Sequence, residues 1–419
     1  MNSITSIMEK IQATTIPPVK KVAVAFSGGL DSSLCIELLR KVYKAEEIVA
    51  ITVNIGQGKE ELEEVTKKAK LLNIEPIVID AQKEFTEQWL PKAIQANSSY
   101  NGYPVSTSMT RQLVARLVAQ EALRLGCDAL MEGSTGKGND QYRMHNVFTM
   151  FAPGLKILVP VRDFNLTRSE EQELCKAWGV PVTEQIVGGD DKTLWCRSIA
   201  SGAIGLNQQI PDDVWLWLKP SLKASDTPEE IELAFNNGIP THLDGKEMPL
   251  DAIVEQLNVL GGKHGIGLID MFEDGIMGMK SREIYEAPAA HIILKMHQDL
   301  ELFCLTKEEI QFKKNVDTMW SYLTYHGMWY HPLKSTLDAF VEKTQTVVNG
   351  TYKLQLYKGT ITIVERTSKT GLFFPEIRSI TSTEFDQRWC AHAAKVMGLP
   401  FEMLIKRQQQ EYSEGTNNG

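Results

Sequence analysis

Hydrophobic and polar positions along this 419-residue chain fall into two regimes. Up to about residue 185, short β-branched runs alternate with segments whose apolar residues recur every three or four positions. The runs "KVAVAF" (21–26), "EIVAITVNI" (47–55) and "PIVID" (76–80) predict strands. Between them, "SSLCIELLRKVY" sets Leu34, Leu38 and Val42 at helical spacing, and "EELEEVTKKAKLLNI" carries acids early and lysines late, as a helix dipole favours. "SMTRQLVARLVAQEALRLG" predicts a strong helix closed by Gly126, followed by "DALMEGSTG" as strand into glycine loop and "KILVPV" as a further strand. Apolar strands alternating with amphipathic helices predict an α/β fold with a parallel sheet covered on both faces.

Past that point the alternation is lost. "PEEIELAFNNG" (228–238) and "LDAIVEQLNVLGG" (250–262) predict helices, and "TYKLQLYKGTITIVER" predicts a hairpin turning at Lys358-Gly359. The final segment from Ser382 predicts a helix broken at Pro400. The pattern divides the chain into an extension at 1–19, an α/β domain at 20–186, an α+β domain at 187–384, and a C-terminal helix and tail at 385–419.

Composition narrows the function. A net charge of -9 gives no general pull toward nucleic acid or an anionic membrane. Six scattered cysteines, with no Cys-x-x-Cys pair, predict a reduced, cytoplasmic protein. No run of apolar residues is long enough to span a membrane. The eight histidines and the cysteines form no ligand spacing, so no protein-held metal site is expected.

The chemistry starts at "FSGGLDSS" (26–33), between the first strand and the first helix. Taken alone, Gly28-Gly29 reads equally as a capped turn or as an anion cradle at a helix N-terminus. It is not a Walker A loop, because the Gly-Lys-Ser/Thr ending is missing. With its strand and helix, the string resembles the pyrophosphate-cleaving loop of the ATP pyrophosphatase (PP-loop) superfamily. The segments "NIGQ" (54–57), "YNGYPVSTSMTR" (100–111), "EGSTGKGNDQYR" (132–143) and "GGKHGIGLIDMFEDGIMGMKSREIYEAP" (261–288) extend that resemblance to the argininosuccinate synthase family.

The resemblance implies a Rossmann-like, adenine nucleotide alpha hydrolase-like PP-loop domain at 20–186. It implies a synthetase and multimerisation domain at 187–384, and a C-terminal helix that assembles a homotetramer. It implies ATP with Mg²⁺, an adenylated citrulline ureido oxygen, release of pyrophosphate, and displacement of AMP by aspartate. Ala25, Ser27, Gly28, Gly29, Asp31, Ser32, Ser33, Val53 and Gly133 match nucleotide positions. Thr135, Asn139 and Asp140 match aspartate contacts, Asp140 taking its ammonium. Tyr103, Ser108, Arg143, Ser198, Glu273 and Tyr285 match citrulline contacts, with Arg143 on its carboxylate and Glu273 on its ammonium. Thr107 and Asn139 stand at the junction. Asp31, Ser32, Asn139 and Asp140 are the expected catalytic positions. Taken singly, Arg143 and Glu273 also read as ion-paired residues and the tyrosines as core aromatics. Chain order and spacing favour the site.

Departures from the family pattern gather on the acceptor side. They are Gly189 for a serine, Ala200 for a glutamate, Tyr142 and His145 in "DQYRMH", Leu268 for an arginine, Glu283 and Ala287 in "SREIYEAP", Ala290-His291 for Gly-Thr, Ser106 for a glycine and Gln112 for a proline. Two acceptors therefore follow: citrulline, or a different ureido, amide or carboxylate group in a repurposed ligase.

Overall fold

A computed structural model describes residues 3–181, 190–199 and 205–415. The expected boundary at 186/187 and the departures Gly189 and Ala200 lie outside the described residues. The chain divides into two compact units, Met1–Gly371 and Leu372–Gly419.

Among the described residues of the first unit, the strands form three sheets. The first holds β1 (Lys21–Ala25), β2 (Glu47–Asn54), β3 (Ile77–Asp80), β4 (Ala129–Met131) and β5 (Lys156–Leu158) in the order β3-β2-β1-β4-β5, with every pair parallel. The expected α/β fold is therefore present. Val22, Ala23 and Val24 of β1 are all fully buried, as a central strand covered on both faces requires. The order reverses direction at β1. Outside the carboxyl ends of the strands flanking such a reversal, an open sheet leaves a crevice. The Ser3–Gln12 helix seats Ile7 and Ile11 in the core on one side of this sheet.

"KILVPV" is a strand only through Leu158, and Pro160 opens a short helix, Pro160–Asp163. Proline at a first helical position suits a turn whose N–H has no partner anyway. The first helix, Leu30–Leu38, continues into a π-helical turn, Leu39–Tyr43.

A second, antiparallel sheet runs β10-β9-β8-β13-β14, from β8 (Glu229–Asn236), β9 (Ile239–Leu243), β10 (Lys246–Glu247), β13 (Gly350–Tyr357) and β14 (Thr360–Thr367). Here β8 corrects the helix expected at 228–238. Ile231, Leu233 and Phe235 are buried at alternate positions, a period of two, and Asn237-Gly238, both at positive φ, turn the chain into β9. The hairpin at Lys358-Gly359 forms as expected.

A third sheet, β11-β12-β7-β6, joins β6 (Asp190–Lys192), β7 (Arg197–Ile199), β11 (Leu268–Asp274) and β12 (Lys280–Glu286). Helices Pro288–Cys304, Lys307–Tyr325 and Pro332–Gln345 follow it. In the second unit, the Trp389–Gly415 helix runs on through Pro400 rather than breaking there. A proline removes one N–H and crowds one carbonyl; the rest of the ladder carries the helix past it.

Candidate active site

β1 ends at Ala25, and the Leu30–Leu38 helix starts just past Gly29. Gly28 has φ +71°, and a Cβ there would lie 3.1 Å from Val65 Cγ2, so the turn needs glycine. The Ser32 hydroxyl closes the loop. It donates to the Gly29 carbonyl (3.2 Å), accepts from the Ser27 N–H (3.3 Å) and lies 3.2 Å from Ser27 Oγ. The first N–H groups of a helix have no intrahelical acceptor, which leaves this end suited to an anion. The loop after β4 presses on the same turn. A Cβ on Gly133 would lie 3.0 Å from the Asp31 carbonyl carbon and the Ser32 nitrogen.

These elements wall a cavity of about 470 Å³, a size suited to a small-molecule ligand. Ala25, Ser27, Gly29, Asp31, Ser32, Val53, Gly133, Asp140 and Ser198 all line it. Gly28 shapes the turn, whereas the Ser33 hydroxyl is buried without a hydrogen bond rather than on the wall. Asp31 pairs with Arg168, which also reaches Glu171 at 3.3 Å. Burial, with Asp31 beside it, raises the Glu171 carboxyl well above the carboxylate range. Glu132, on the same wall, is 3% exposed. One oxygen accepts the Ser134 N–H at 2.8 Å and the other has no partner, and burial pushes its pKa up to about 7.

One end of the cavity is an ionic chain. Arg111 Nε donates to Asp140 Oδ2 at 2.8 Å, and its Nη2 pairs with Asp191. Arg143 Nη1 donates to Asp140 Oδ1 at 2.8 Å. Burial opposes the charged form of Asp140, yet Arg111 and Arg143 outweigh it and hold the carboxyl below its usual range.

Beyond Arg143 lies a set of tyrosines around Glu273. Tyr285 donates to Glu273 Oε2 at 2.5 Å, and Tyr325 donates to Oε1. The Tyr103 ring stacks on Tyr285 with centroids 4.5 Å apart. Its hydroxyl accepts the N–H groups of Ser106 and Thr107 at 2.9 and 2.8 Å. β7 pairs with β12 so that Ser198 sits opposite Tyr285. Asn139, just before the Asp140–Phe151 helix, donates from Nδ2 to Tyr325 Oη at 2.9 Å. Arg143 Nε donates to the Tyr325 carbonyl at 3.0 Å. Of its five donors, those engaged with Asp140 and Tyr325 are the ones that fix its plane.

The fold thus brings together Asn139, Asp140 and Arg143 with Tyr103, Thr107, Glu273 and Tyr285. Two expected residues stand differently: the Ser108 hydroxyl is buried without a hydrogen bond, and Thr135 is half-buried in the loop, its carbonyl accepting the Gly138 N–H at 3.3 Å. Arg111 and Glu132 lie inside the quoted segments but were not singled out; a charged residue within a motif is the signal that marks them. Asp191 carries a weaker one. Tyr325 has no local signal.

Ser106 and Gln112, two of the acceptor-side departures within the described residues, take local partners. The Ser106 and Thr193 hydroxyls lie 2.7 Å apart, buried. Gln112 donates to the carbonyls of Ser108 (2.7 Å) and Thr324 (2.9 Å) and accepts the Trp329 N–H at 2.7 Å. Leu268 is exposed at the start of β11. His264 is buried, 3.1 Å from a Glu229 oxygen, and packs away from the cavity wall. No group of three or more His, Cys, Asp or Glu side chains placed to hold a metal ion occurs among the described residues. No helix among them is long and apolar enough to cross a membrane.

Two family models cover most of the chain: Arginosuccinate synthase N-terminal HUP domain over residues 21–181, and Arginosuccinate synthase C-terminal domain over 189–404. Argininosuccinate synthase of Methanopyrus kandleri is 39% identical over 394 residues, spanning 93% of this chain and 100% of its own length. The enzyme of Methanocaldococcus jannaschii is 41% identical over 398 residues, with the same coverage. That of Rubrobacter xylanophilus is 40% identical over 388 residues, spanning 91% and 94%. The chain belongs to the argininosuccinate synthase family, whose members are ATP-dependent ligases.

Proposed function

We propose that this chain joins citrulline and aspartate, with ATP converted to AMP and pyrophosphate. The observation that carries the reading is the contact chain linking the nucleotide cavity to the tyrosine-lined pocket through Asp140 and Arg143. The citrulline ureido oxygen attacks the α-phosphorus, and the bond to the pyrophosphate oxygen breaks. The aspartate α-ammonium held at Asp140 then gives up one proton to solvent, the neutral amine adds to the ureido carbon, AMP leaves carrying the ureido oxygen, and argininosuccinate forms.

Little acid–base chemistry is asked of the protein, because adenylation creates the leaving group. Positioning and fixed charge dominate. The N–H groups and hydroxyls of Ser27, Gly29 and Ser32 hold the polyphosphate, and Ala25, Val53 and Gly133 pack on the nucleoside. Mg²⁺ travels with the polyphosphate. Asp31, a hard oxygen donor on the wall, fits it, and the ion would neutralise phosphate charge there. Thr135, Asn139 and Asp140 take aspartate. Tyr103, Thr107, Ser108, Arg143, Ser198, Glu273 and Tyr285 take citrulline. In this division residues 20–186 serve the nucleotide and 187–384 complete the acceptor side.

Purified protein should release pyrophosphate over many turnovers only when ATP–Mg²⁺, aspartate and citrulline are all present, ATP–Mg²⁺ with citrulline alone giving at most one equivalent per site. Release driven by another ureido, amide or carboxylate compound, with none from citrulline, would overturn the acceptor.

A homotetramer built through residues 385–419 belongs to the same reading. Trp389, Val396 and Met403, spaced seven apart on the terminal helix, are 66%, 64% and 66% exposed, a face that asks for cover. Truncation before Phe385 should lower the mass seen by light scattering; an unchanged tetramer would count against the helix as its clasp.

A further inference from the structure

Tyr325 ends the Lys307–Tyr325 helix and is fully buried. A tyrosine that only fills a core needs one hydrogen-bond partner. This one engages both sides of the pocket by its hydroxyl, its carbonyl and its ring. Its hydroxyl accepts from Asn139 Nδ2 (2.9 Å), donates to Glu273 Oε1, and lies 3.1 Å from the Asp274 carbonyl. Its carbonyl accepts Arg143 Nε at 3.0 Å. Its ring lies 4.8 Å beneath the Arg143 guanidinium and stacks on Tyr100 at 3.8 Å.

The direction of the bonds is fixed. The Ile276 N–H donates to Asn139 Oδ1 at 2.8 Å, so the Asn139 amide must turn its NH₂ toward Tyr325. The hydroxyl oxygen is then an acceptor, and its single proton goes to the better acceptor, the Glu273 carboxylate. Burial, and then Glu273, raise the phenol pKa, so it stays a donor. The order Asn139 to Tyr325 to Glu273 therefore has one arrangement, while Arg143 is clamped above the ring.

We propose that Tyr325 is a positioning residue that sets the spacing between the two amino-acid half-sites. This rests on the citrulline–aspartate reading above. Asn139 stands on the aspartate side, Glu273 and Arg143 on the acceptor side; the Tyr325 hydroxyl bonds Asn139 and Glu273, while its carbonyl and ring hold Arg143. Bond formation between two separately bound substrates is sensitive to misplacement of about 1 Å. Without the hydroxyl, Asn139 and Glu273 each lose a partner and drift independently, while the ring still supports Arg143.

The test is Tyr325→Phe in the full chain, assayed by pyrophosphate release with each substrate varied in turn. The expected result is KM for citrulline and for aspartate each raised about tenfold, kcat lowered about tenfold, and KM for ATP within twofold of wild type. Tyr325→Phe should also be non-additive with Glu273→Gln, the double variant losing less than the product of the single losses. Both amino-acid KM values within twofold of wild type would overturn the proposal, even if thermal stability falls. So would a change confined to ATP. Wild type in the same assay separates the two claims. An inactive wild type fails the reaction assigned above, whereas an active wild type with an unmoved Tyr325→Phe fails this residue's role.

Discussion

Replacing Asp140 by asparagine should lower kcat/KM for aspartate at least about a hundredfold, the equivalent of about 2.7 kcal/mol of lost transition-state stabilisation. Both carboxylate oxygens are taken, Oδ2 by Arg111 and Oδ1 by Arg143, each at 2.8 Å. The side chain is also the proposed partner of the aspartate ammonium. An asparagine keeps the volume and one acceptor, but its NH₂ must face one of two guanidinium groups. Arg143 is 5% exposed and is left with no carboxylate among its hydrogen-bond partners. Breaking one member of a buried charge group costs about 3–5 kcal/mol, and the partial exposure of Asp140 reduces that. The sign with pH follows from its depressed pKa. The stabilising contribution is present above the ordinary aspartate value near 4 and is lost as pH falls through the lower folded-state value. The stability gap between wild type and Asp140→Asn should therefore be constant from pH 8 to 5 and close in stronger acid. Steady-state kinetics and urea unfolding at several pH values check both halves. An aspartate kcat/KM within fivefold of wild type would remove Asp140 from the site.

Much of this was readable along the chain wherever local pattern decides structure. Strand, glycine turn and helix around Gly28 depend on neighbours within ten residues, and the parallel sheet follows from the alternation. The failure at β8 is instructive. "PEEIELAFNNG" carries acids that suit a helix start, but Ile231, Leu233 and Phe235 repeat every second residue, and burial against β13 and β9 overrides propensity. The Asn-Gly pair after it was the better signal. The Gly28 turn of the cavity wall was legible from near neighbours, whereas the roles expected of it, of Val53 and Gly133, and of the tyrosine-lined pocket came only through resemblance. Tyr325 was missed because its partners, Asn139 and Glu273, lie 186 and 52 positions away. No spacing rule reaches that far. Gln112, a departure in sequence, takes a structural job instead. It ties the Thr107–Arg124 helix to Thr324, the neighbour of Tyr325, so a change in the loop is answered by an anchor beneath the pocket.

Glu286→Ala should cost at least about 3–5 kcal/mol of folding stability, the range for stranding a buried charge partner, with the orphaned backbone donors adding to it. Glu286 ends β12 and is fully buried. Its Oε1 accepts the N–H groups of Leu216, Trp217 and Leu218 at 3.1, 2.8 and 2.8 Å, and its Oε2 pairs with Arg197, itself 5% exposed. Alanine removes the acceptor for three backbone donors and a counter-charge of the Arg197 guanidinium at once. A domain's whole stability is about 5–15 kcal/mol, so the urea midpoint should fall steeply. The consequence reaches the pocket through register. Glu286 sits opposite Arg197, and the next pair along is Tyr285 opposite Ser198. Loosening the first pair frees both proposed acceptor contacts, so KM for citrulline should rise in whatever fraction remains folded. A second variant separates charge from backbone. Arg197→Met with Glu286→Met removes both charges, and a buried pair so replaced is often neutral or better. The three N–H groups stay without their acceptor, at about 1–3 kcal/mol for each one that water cannot reach. The double variant should therefore regain part of the loss of Glu286→Ala, not all of it. Full recovery would mean that the carboxylate serves Arg197 alone. No recovery would mean that it serves the Leu216–Leu218 turn, and that the ion pair adds nothing to hold β7 against β12.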